Sequence, residues 1–156
     1  MNIFIKEHQQ LLMALLQYHV TFLLIGGYAV IYHGYERTTG DLDIWLQPTN
    51  ENKVSFLLAL KEFNIDEEDV DRVSAIDFSQ PQMFFVGDVP RRIDFLTKVS
   101  GVAFDEAFSA ANYFGMDGQQ VPVIQYQHLI LTKITTGRAK DKADIEELQR
   151  IHKYKA

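Results

Sequence analysis

Hydrophobic residues recur along this chain at two spacings, one typical of helices and the other of strands. The helical spacing is clearest in residues 7–18, where four leucines fall on one face. Helices are predicted over the following segments: residues 7–18, 28–33, 50–63 and, on either side of Gly137, 126–151. The acidic segment 65–74 lacks a clear pattern and is interpreted as a solvated connection.

Strands are predicted where apolar residues run together or alternate with polar ones. The segments are residues 22–25, 41–46, 83–87, 91–97 and 112–125. The third and fourth are separated by a short turn and form a predicted hairpin, and the fifth forms another around Asp117-Gly118. Because hairpins join antiparallel strands, the sheet is not purely parallel. The predicted fold class is α/β (α+β), with a small mixed β-sheet flanked by helices.

Length and composition favour one intracellular globular domain. With 156 residues the chain is long enough for one core and short for two, so residues 1–156 are predicted to form a single domain. The absence of cysteine excludes disulfides, thiolate metal sites and cysteine nucleophiles. We find no signal-peptide core and no apolar run near the roughly 20 residues that span a bilayer, so a cytoplasmic location without membrane contact is expected. The net charge of −6 disfavours non-specific binding to nucleic acid.

Two aspartates interrupt the apolar alternation of residues 41–46. The leucine and isoleucine side chains face one side of the strand, which puts Asp41 and Asp43 together on the other, with Cα atoms about 6–7 Å apart. Like charges this close repel each other and need a cation or water. Asp94 interrupts residues 91–97 in the same way, on a strand that can lie beside the first. Three carboxylates suit Mg²⁺ or Mn²⁺ rather than zinc.

Gly26 and Gly27 lie between a predicted strand and the start of a predicted helix. Paired glycines let backbone N–H groups approach a phosphate, and a helix N-terminus favours negative charge. A phosphate cradle together with carboxylates for a divalent metal predicts a site for a nucleoside triphosphate.

Each feature also has a simpler interpretation. A Gly-Gly pair is most often a turn, and an Asp-x-Asp pair is often a solvated strand end. Asp94 can form an ion pair with Arg91 or Arg92. The order of the three features along the chain, on apolar strands, favours the functional interpretation.

The run GGYAVIYHGYERTTGDLDI, together with Asp94 in RRIDFL, resembles the signature of the nucleotidyltransferase superfamily related to DNA polymerase beta. With LTKITTGRAKDKADIEEL added, it is similar to the bacterial branch that includes abortive-infection-type nucleotidyltransferase toxins. The resemblance covers roughly residues 20–150. It implies a minimal sheet with flanking helices. It also implies transfer of a nucleoside monophosphate from a triphosphate to a hydroxyl, with release of pyrophosphate.

The resemblance implies roles for the acids and the glycines. Gly26 and Gly27 would hold the β- and γ-phosphates of the nucleoside triphosphate. The catalytic and metal-binding residues would be Asp41, Asp43 and Asp94, with Mg²⁺ or Mn²⁺ as the cofactor. Asp94 would also orient or deprotonate the acceptor.

Basic residues complete the implied site. Arg37 and Thr38 would brace the metal loop, and Lys133 would reach the triphosphate. A further group matches a basic-acidic pattern of less clear role, and a solvated helix with pairs at i,i+3 and i,i+4 explains it equally well. That group is Arg138, Lys140, Asp141 and Asp144.

The leading functional hypothesis is a metal-dependent nucleotidyltransferase. Its hydroxyl acceptor stays open between a small antibiotic-like compound, a tRNA end and a protein side chain. The alternative is a weakly active or inactive module of the same fold that binds a nucleotide or a partner, as one half of a toxin–antitoxin pair. Gly27, where many superfamily enzymes have serine, favours this alternative. A metal-dependent nuclease also uses clustered acids, but it does not explain the Gly-Gly turn.

Overall fold

The protein consists of one β-sheet flanked by helices, and helices and strands are mixed along the chain. The computed structural model of the protein describes residues 4–37, 39–63, 65–87 and 92–155. The elements are α1 (Lys6–Gln17), β1 (Phe22–Ile25), α2 (Gly26–Tyr32), β2 (Leu42–Leu46), α3 (Asn50–Glu62), α4 (Glu67–Ser74), β3 (Met83–Val86), β4 (Ile93–Leu96), α5 (Phe104–Ser109), β5 (Asn112–Met116), β6 (Gln119–Val123), α6 (Tyr126–Thr136) and α7 (Ala139–Lys155).

The strands form one mixed sheet in the order β3-β4-β2-β1-β6-β5. β2 runs parallel to β4, and β1 runs parallel to β6. The other neighbours are antiparallel, including the predicted hairpin pairs β3–β4 and β5–β6. The predicted turn, residues 88–90, lies outside the described residues. The predicted fold class, a small mixed sheet flanked by helices, is confirmed.

The core lies mainly on one face of this sheet. Phe56 on α3 packs against Phe95 of β4, with ring centroids 4.8 Å apart, and also contacts Phe84 of β3. On the opposite face, Trp45 of β2 is covered by Phe104 of α5, with ring centroids 5.2 Å apart. Both faces of β2 are therefore covered at Trp45. Asp43, two residues earlier, lies on the same face as Trp45.

Residues 67–74 form helix α4, so the interpretation of this acidic segment as a solvated connection is wrong. Val70 and Val73, one turn apart, are buried against the rest of the fold. Three acidic residues occupy the first turn, where the helix dipole favours negative charge. Helix α5 also lies outside the predicted helices, because its six residues are too few for a periodic pattern.

Two boundaries near Gly26 and Asp41 differ slightly from the sequence prediction. α2 begins at Gly26 itself, and β2 begins at Leu42, so Asp41 directly precedes the strand. No helix in the described part of the chain is long and apolar enough to cross a membrane.

Candidate active site

The predicted acids meet where β1, β2 and β4 lie side by side. Asp43 is paired with Asp94 on β4 and with Ile25 on β1. Directly paired residues point to the same face of a sheet, so the side chains of Asp43 and Asp94 are neighbours. Asp41 is exposed just before β2 and acts electrostatically on Asp43. The register of the sheet thus places the acids around Asp43.

Asp43 is electrostatically crowded. Partial burial, followed by repulsion from Asp94 and Asp41, raises the pKa of Asp43 from 3.8 to about 6. Lys133 and Lys140 act in the opposite direction but do not cancel this effect. A carboxylate held among like charges gains stability from a bound cation, so these oxygen donors fit a divalent metal ion.

Gly26 lies directly against the Asp43 carboxylate. A Cβ at this position would overlap Asp43 Oδ2 and would lie 2.8 Å from the carboxyl carbon. Gly26 also has a φ of +68°, in the left-handed region that glycine tolerates best. Two independent constraints, space and backbone conformation, therefore require glycine at the turn between β1 and α2.

Gly27 is packed against the segment that leads into β2. A Cβ here would overlap Thr39 Oγ1 and would lie 3.4 Å from Arg37 Nη2. Arg37 is itself fixed, because its Nε lies 3.1 Å from Asp144 Oδ1 on α7. Thr38, the other predicted member of this loop, lies outside the described residues.

Asp94 has a second neighbour besides Asp43. Arg92 Nε lies 3.2 Å from Asp94 Oδ1, so the simpler interpretation of Asp94 as an ion-pair partner of Arg92 is also correct. Arg91 lies outside the described residues. Asp94 therefore has Arg92 as its ion-pair partner and Asp43 as its neighbour across the strand pairing.

Lys133 is buried between two aspartates of α7. Its Nζ lies 3.1 Å from Asp141 Oδ1 and 3.0 Å from Asp144 Oδ2. Both aspartates are buried, so the interpretation of this helix as merely solvated is wrong at these two positions. Asp144 bridges Lys133 on α6 and Arg37 before β2, and so ties both to α7.

Asp141 is strongly stabilised as a carboxylate. Burial alone would raise its pKa, but hydrogen bonds from Thr136, Arg138 and Lys133 outweigh burial and lower the pKa to about 2. Arg138 Nε lies 2.7 Å from Asp141 Oδ2, as the predicted i,i+3 pair. Asp141 therefore stays ionised and holds Lys133 in place.

These residues line one open cleft of about 450 Å³. Its acids are Asp41, Asp43, Asp94 and Asp141, and its cations are Arg37, Arg92, Lys98, Lys133, Arg138 and Lys140. Most of these charges are paired within the chain. Among the described residues, the cleft charges without an ion-pair partner are two acids and two lysines: Asp41, Asp43, Lys98 and Lys140.

The acids do not form a closed metal cage by themselves. Within the described ranges, no three histidine, aspartate or glutamate side chains are close enough together to hold an ion alone. The role of Asp41, Asp43 and Asp94 as ligands therefore stays a prediction, as do the phosphate roles of Gly26, Gly27, Arg37 and Lys133.

Sequence reasoning missed several contacts of this cleft. Lys98 follows β4 and carries no local motif that would single it out. Thr39 is packed against Gly27, and Asp144 contacts Arg37 across a separation of 107 residues. Such contacts depend on tertiary packing. The basic-acidic pattern of α6 and α7 singled out Asp144 but not its partner Arg37.

The resemblance to nucleotidyltransferases is confirmed by a family model. The family model described as "Nucleotidyl transferase of unknown function (DUF2204)" matches residues 5–156, so the chain belongs to this family. Among solved structures, the chain is similar to the lincosamide antibiotic adenylyltransferase LnuA in its lincomycin-bound form. The TM-score is 0.56 at 17% identity, and the match covers 96% of this chain and 98% of that one. At this identity the likeness concerns the fold. A search of curated protein sequences gave no match.

We predict that Asp43→Asn stabilises the folded protein near neutral pH. Because the folded pKa of Asp43 is raised from 3.8 to about 6, wild-type stability falls as pH rises between these values, and the loss persists above them. At about 1.4 kcal/mol for each pKa unit, the gain in the variant is about 3 kcal/mol above pH 6. Urea denaturation of both proteins at about pH 8 and about pH 4 measures it. A gain that is equal at both pH values contradicts the crowding of Asp43.

We predict that Gly26→Ala destabilises the protein by about 3 kcal/mol, from backbone strain plus overlap with Asp43. Gly118→Ala is the matched control, because Gly118 has a φ of +78° and open space around its Cα. The control should lose only about 1 kcal/mol, the cost of the left-handed conformation. Urea denaturation compares the two variants, and equal losses would show that Gly26 does not press on Asp43.

Proposed function

We propose that this protein is a metal-dependent nucleotidyltransferase that moves a nucleoside monophosphate from a nucleoside triphosphate to a hydroxyl acceptor. The observation that carries the proposal is the charge balance of the cleft. Asp41 and Asp43 have no cationic partner there, and Lys98 and Lys140 have no anionic one among the described residues. A divalent cation bound to a triphosphate matches both pairs: the cation would neutralise the two aspartates, and the phosphates would pair with the two lysines.

The donor set fits Mg²⁺ or Mn²⁺ held by Asp41, Asp43 and Asp94. When bound, such an ion polarises the phosphate oxygens and neutralises charge that develops on pyrophosphate. The triphosphate itself would supply the remaining oxygen ligands, which agrees with acids too few and too open to form a cage.

The chain's own residues would perform the remaining steps. The N–H groups of Gly26 and Gly27 would contact the β- and γ-phosphates, where the absence of side chains allows close approach. The acceptor oxygen would attack the α-phosphorus while the bond from that phosphorus to the β-phosphate oxygen breaks. Asp94 would orient the acceptor hydroxyl and take its proton, and pyrophosphate would leave.

Lys133 and Lys140 would differ in role. Lys133 is already paired with Asp141 and Asp144, so it would contribute positive potential from its buried position. Lys140 is exposed, lines the cleft and lowers the pKa of Asp43, so it would contact the triphosphate directly.

An inactive nucleotide-binding module of the same fold is the second candidate. The Arg92–Asp94 ion pair favours it, because a catalytic base must give up such a partner before it can take a proton. This candidate would bind a nucleoside triphosphate and transfer nothing, so a transfer assay separates the two.

The proposed function is tested with triphosphates labelled on either the α- or the γ-phosphate, incubated with Mg²⁺ and cell extract. We expect α-label in a product, γ-label in pyrophosphate, and loss of both with EDTA. Asp43→Asn and Asp94→Asn should each lower transfer by about a hundredfold or more. Asp105→Asn is the control, because it removes the same charge from an exposed position on α5, and it should remain active. Transfer that survives EDTA or Asp43→Asn contradicts the proposal, and binding without transfer supports the second candidate.

We predict that Lys140→Gln weakens binding of the triphosphate about tenfold, because it removes a charged contact to phosphate. Lys142→Gln is the matched control, since Lys142 is exposed on the same helix but does not line the cleft. Calorimetric titration with MgATP measures both variants. Equal effects of the two substitutions would show that Lys140 acts only through net charge.

A further inference from the structure

The row of paired residues that carries the acids continues to the free edge of the sheet. Phe85 on β3 is paired with Asp94, which is paired with Asp43. In the next row, Met83 on β3 is paired with Leu96. Because directly paired residues share a face, these apolar side chains lie on the same face as the carboxylates. We call Met83, Phe85 and Leu96 the apolar strip.

The apolar strip is open to solvent at the sheet edge. Met83 is 69% exposed and Phe85 is 49% exposed, although both are large hydrophobic side chains. Trp45, in the same row as Met83 and Leu96, is only 1% exposed, because Phe104 of α5 covers it. Helical cover therefore stops between β2 and β3. Met83 and Leu96 line the cleft itself, so the strip is continuous with the proposed site.

The two arginines beside the apolar strip that the structure describes each form an ion pair within the chain. The Arg92 guanidinium lies 5.1 Å from the Phe85 ring centroid and forms the ion pair with Asp94. Arg72 lies 5.6 Å from the same ring, donates to the Phe85 carbonyl oxygen and pairs with Asp69. Two lysines of the cleft have no ion-pair partner among the described residues. Lys98 follows β4, which carries Leu96 of the apolar strip, whereas Lys140 lies on α7.

We infer that the acceptor is a small molecule, neutral or with a single anionic group, whose hydroxyl is attached to an apolar body that packs on the apolar strip. The inference rests on the proposed function and names its acceptor class. Neighbouring strands are about 5 Å apart, so a ring seated on Phe85 puts a substituent within reach of Asp94. An RNA acceptor would need several free cations for its phosphates. Among the described residues beside the apolar strip, Lys98 has no ion-pair partner and Arg92 is released only when Asp94 acts as the base, so at most two are offered.

The test uses ATP labelled on the α-phosphate, Mg²⁺, and cell extract divided into dialysable metabolites, RNA and protein. We expect label in the dialysable fraction, on an adduct of AMP with a metabolite that is organic-extractable before it is modified. Phe85→Ser should lower kcat/KM for that purified metabolite about tenfold while the KM for ATP stays unchanged, because only apolar contact with the acceptor is lost. Tyr113→Ser is the matched control, since Tyr113 is 53% exposed on β5 at the opposite edge of the sheet.

A defined probe tests the apolar strip directly. In ligand-detected NMR, 4-phenylbutan-1-ol should show saturation transfer from the wild type and from Tyr113→Ser. The effect should be lost in Phe85→Ser, because the phenyl ring then has no partner at the edge. Equal binding of the probe to the three proteins overturns the inference.

Other outcomes of the labelling test are equally decisive. Label on RNA or protein, or an unchanged acceptor kcat/KM in Phe85→Ser, overturns the inference while the proposed function stands. A dimer in sedimentation velocity that Phe85→Ser converts to monomer also overturns it, because the strip is then an interface between two copies. Absence of label in every fraction, with no Mg²⁺-dependent ATP binding, overturns the proposed function and this inference together.

Discussion

The Asp43 carboxylate is held among like charges, and the site is organised around this repulsion. Asp94 is fixed beside it by the parallel pairing of β2 and β4, and Gly26 closes against it from the end of β1. Neither neighbour can move without loss of sheet pairing or of the turn that only glycine fits. The fold therefore keeps a carboxylate whose ionisation costs stability, and a cation bound in the cleft would relieve that cost.

The buried charges of α6 and α7 provide a rigid support for this arrangement. Asp144 joins Lys133 to Arg37, and Arg37 lies next to Gly27. A buried ion pair adds little net stability, but loss of one partner typically costs about 3–5 kcal/mol, so the pairs fix geometry more than they strengthen the fold. Lys133 and Arg37 thus serve as supports, whereas Lys98 and Lys140 have no ion-pair partner among the described residues.

Local patterns in the sequence were sufficient for the strands, both hairpins and the neighbourhood of Asp43, Asp94 and Gly26. Alternation fixes the face of each side chain, and the sheet register then follows from burial of the apolar set. The burial of Asp144 had no such local signal, because its partner Arg37 is 107 residues away. Helix α4 was missed since its two buried valines are outnumbered by acids that the helix N-terminus accommodates. The exposure of Phe85 likewise depends on the position of α5, which covers Trp45 and leaves Phe85 exposed. No pattern within β3 predicts this position.

In the proposed function, the crowded carboxylates bind a divalent cation, and the cleft lysines without a partner among the described residues bind the triphosphate. Calorimetric titration of the wild type and of Asp43→Asn with ATP, once in Mg²⁺ and once in EDTA, measures this coupling. We expect Mg²⁺ to tighten ATP binding to the wild type by at least about tenfold, and we expect this difference to disappear in the variant. Equal affinity in Mg²⁺ and EDTA, or a Mg²⁺ effect that Asp43→Asn leaves intact, would contradict it.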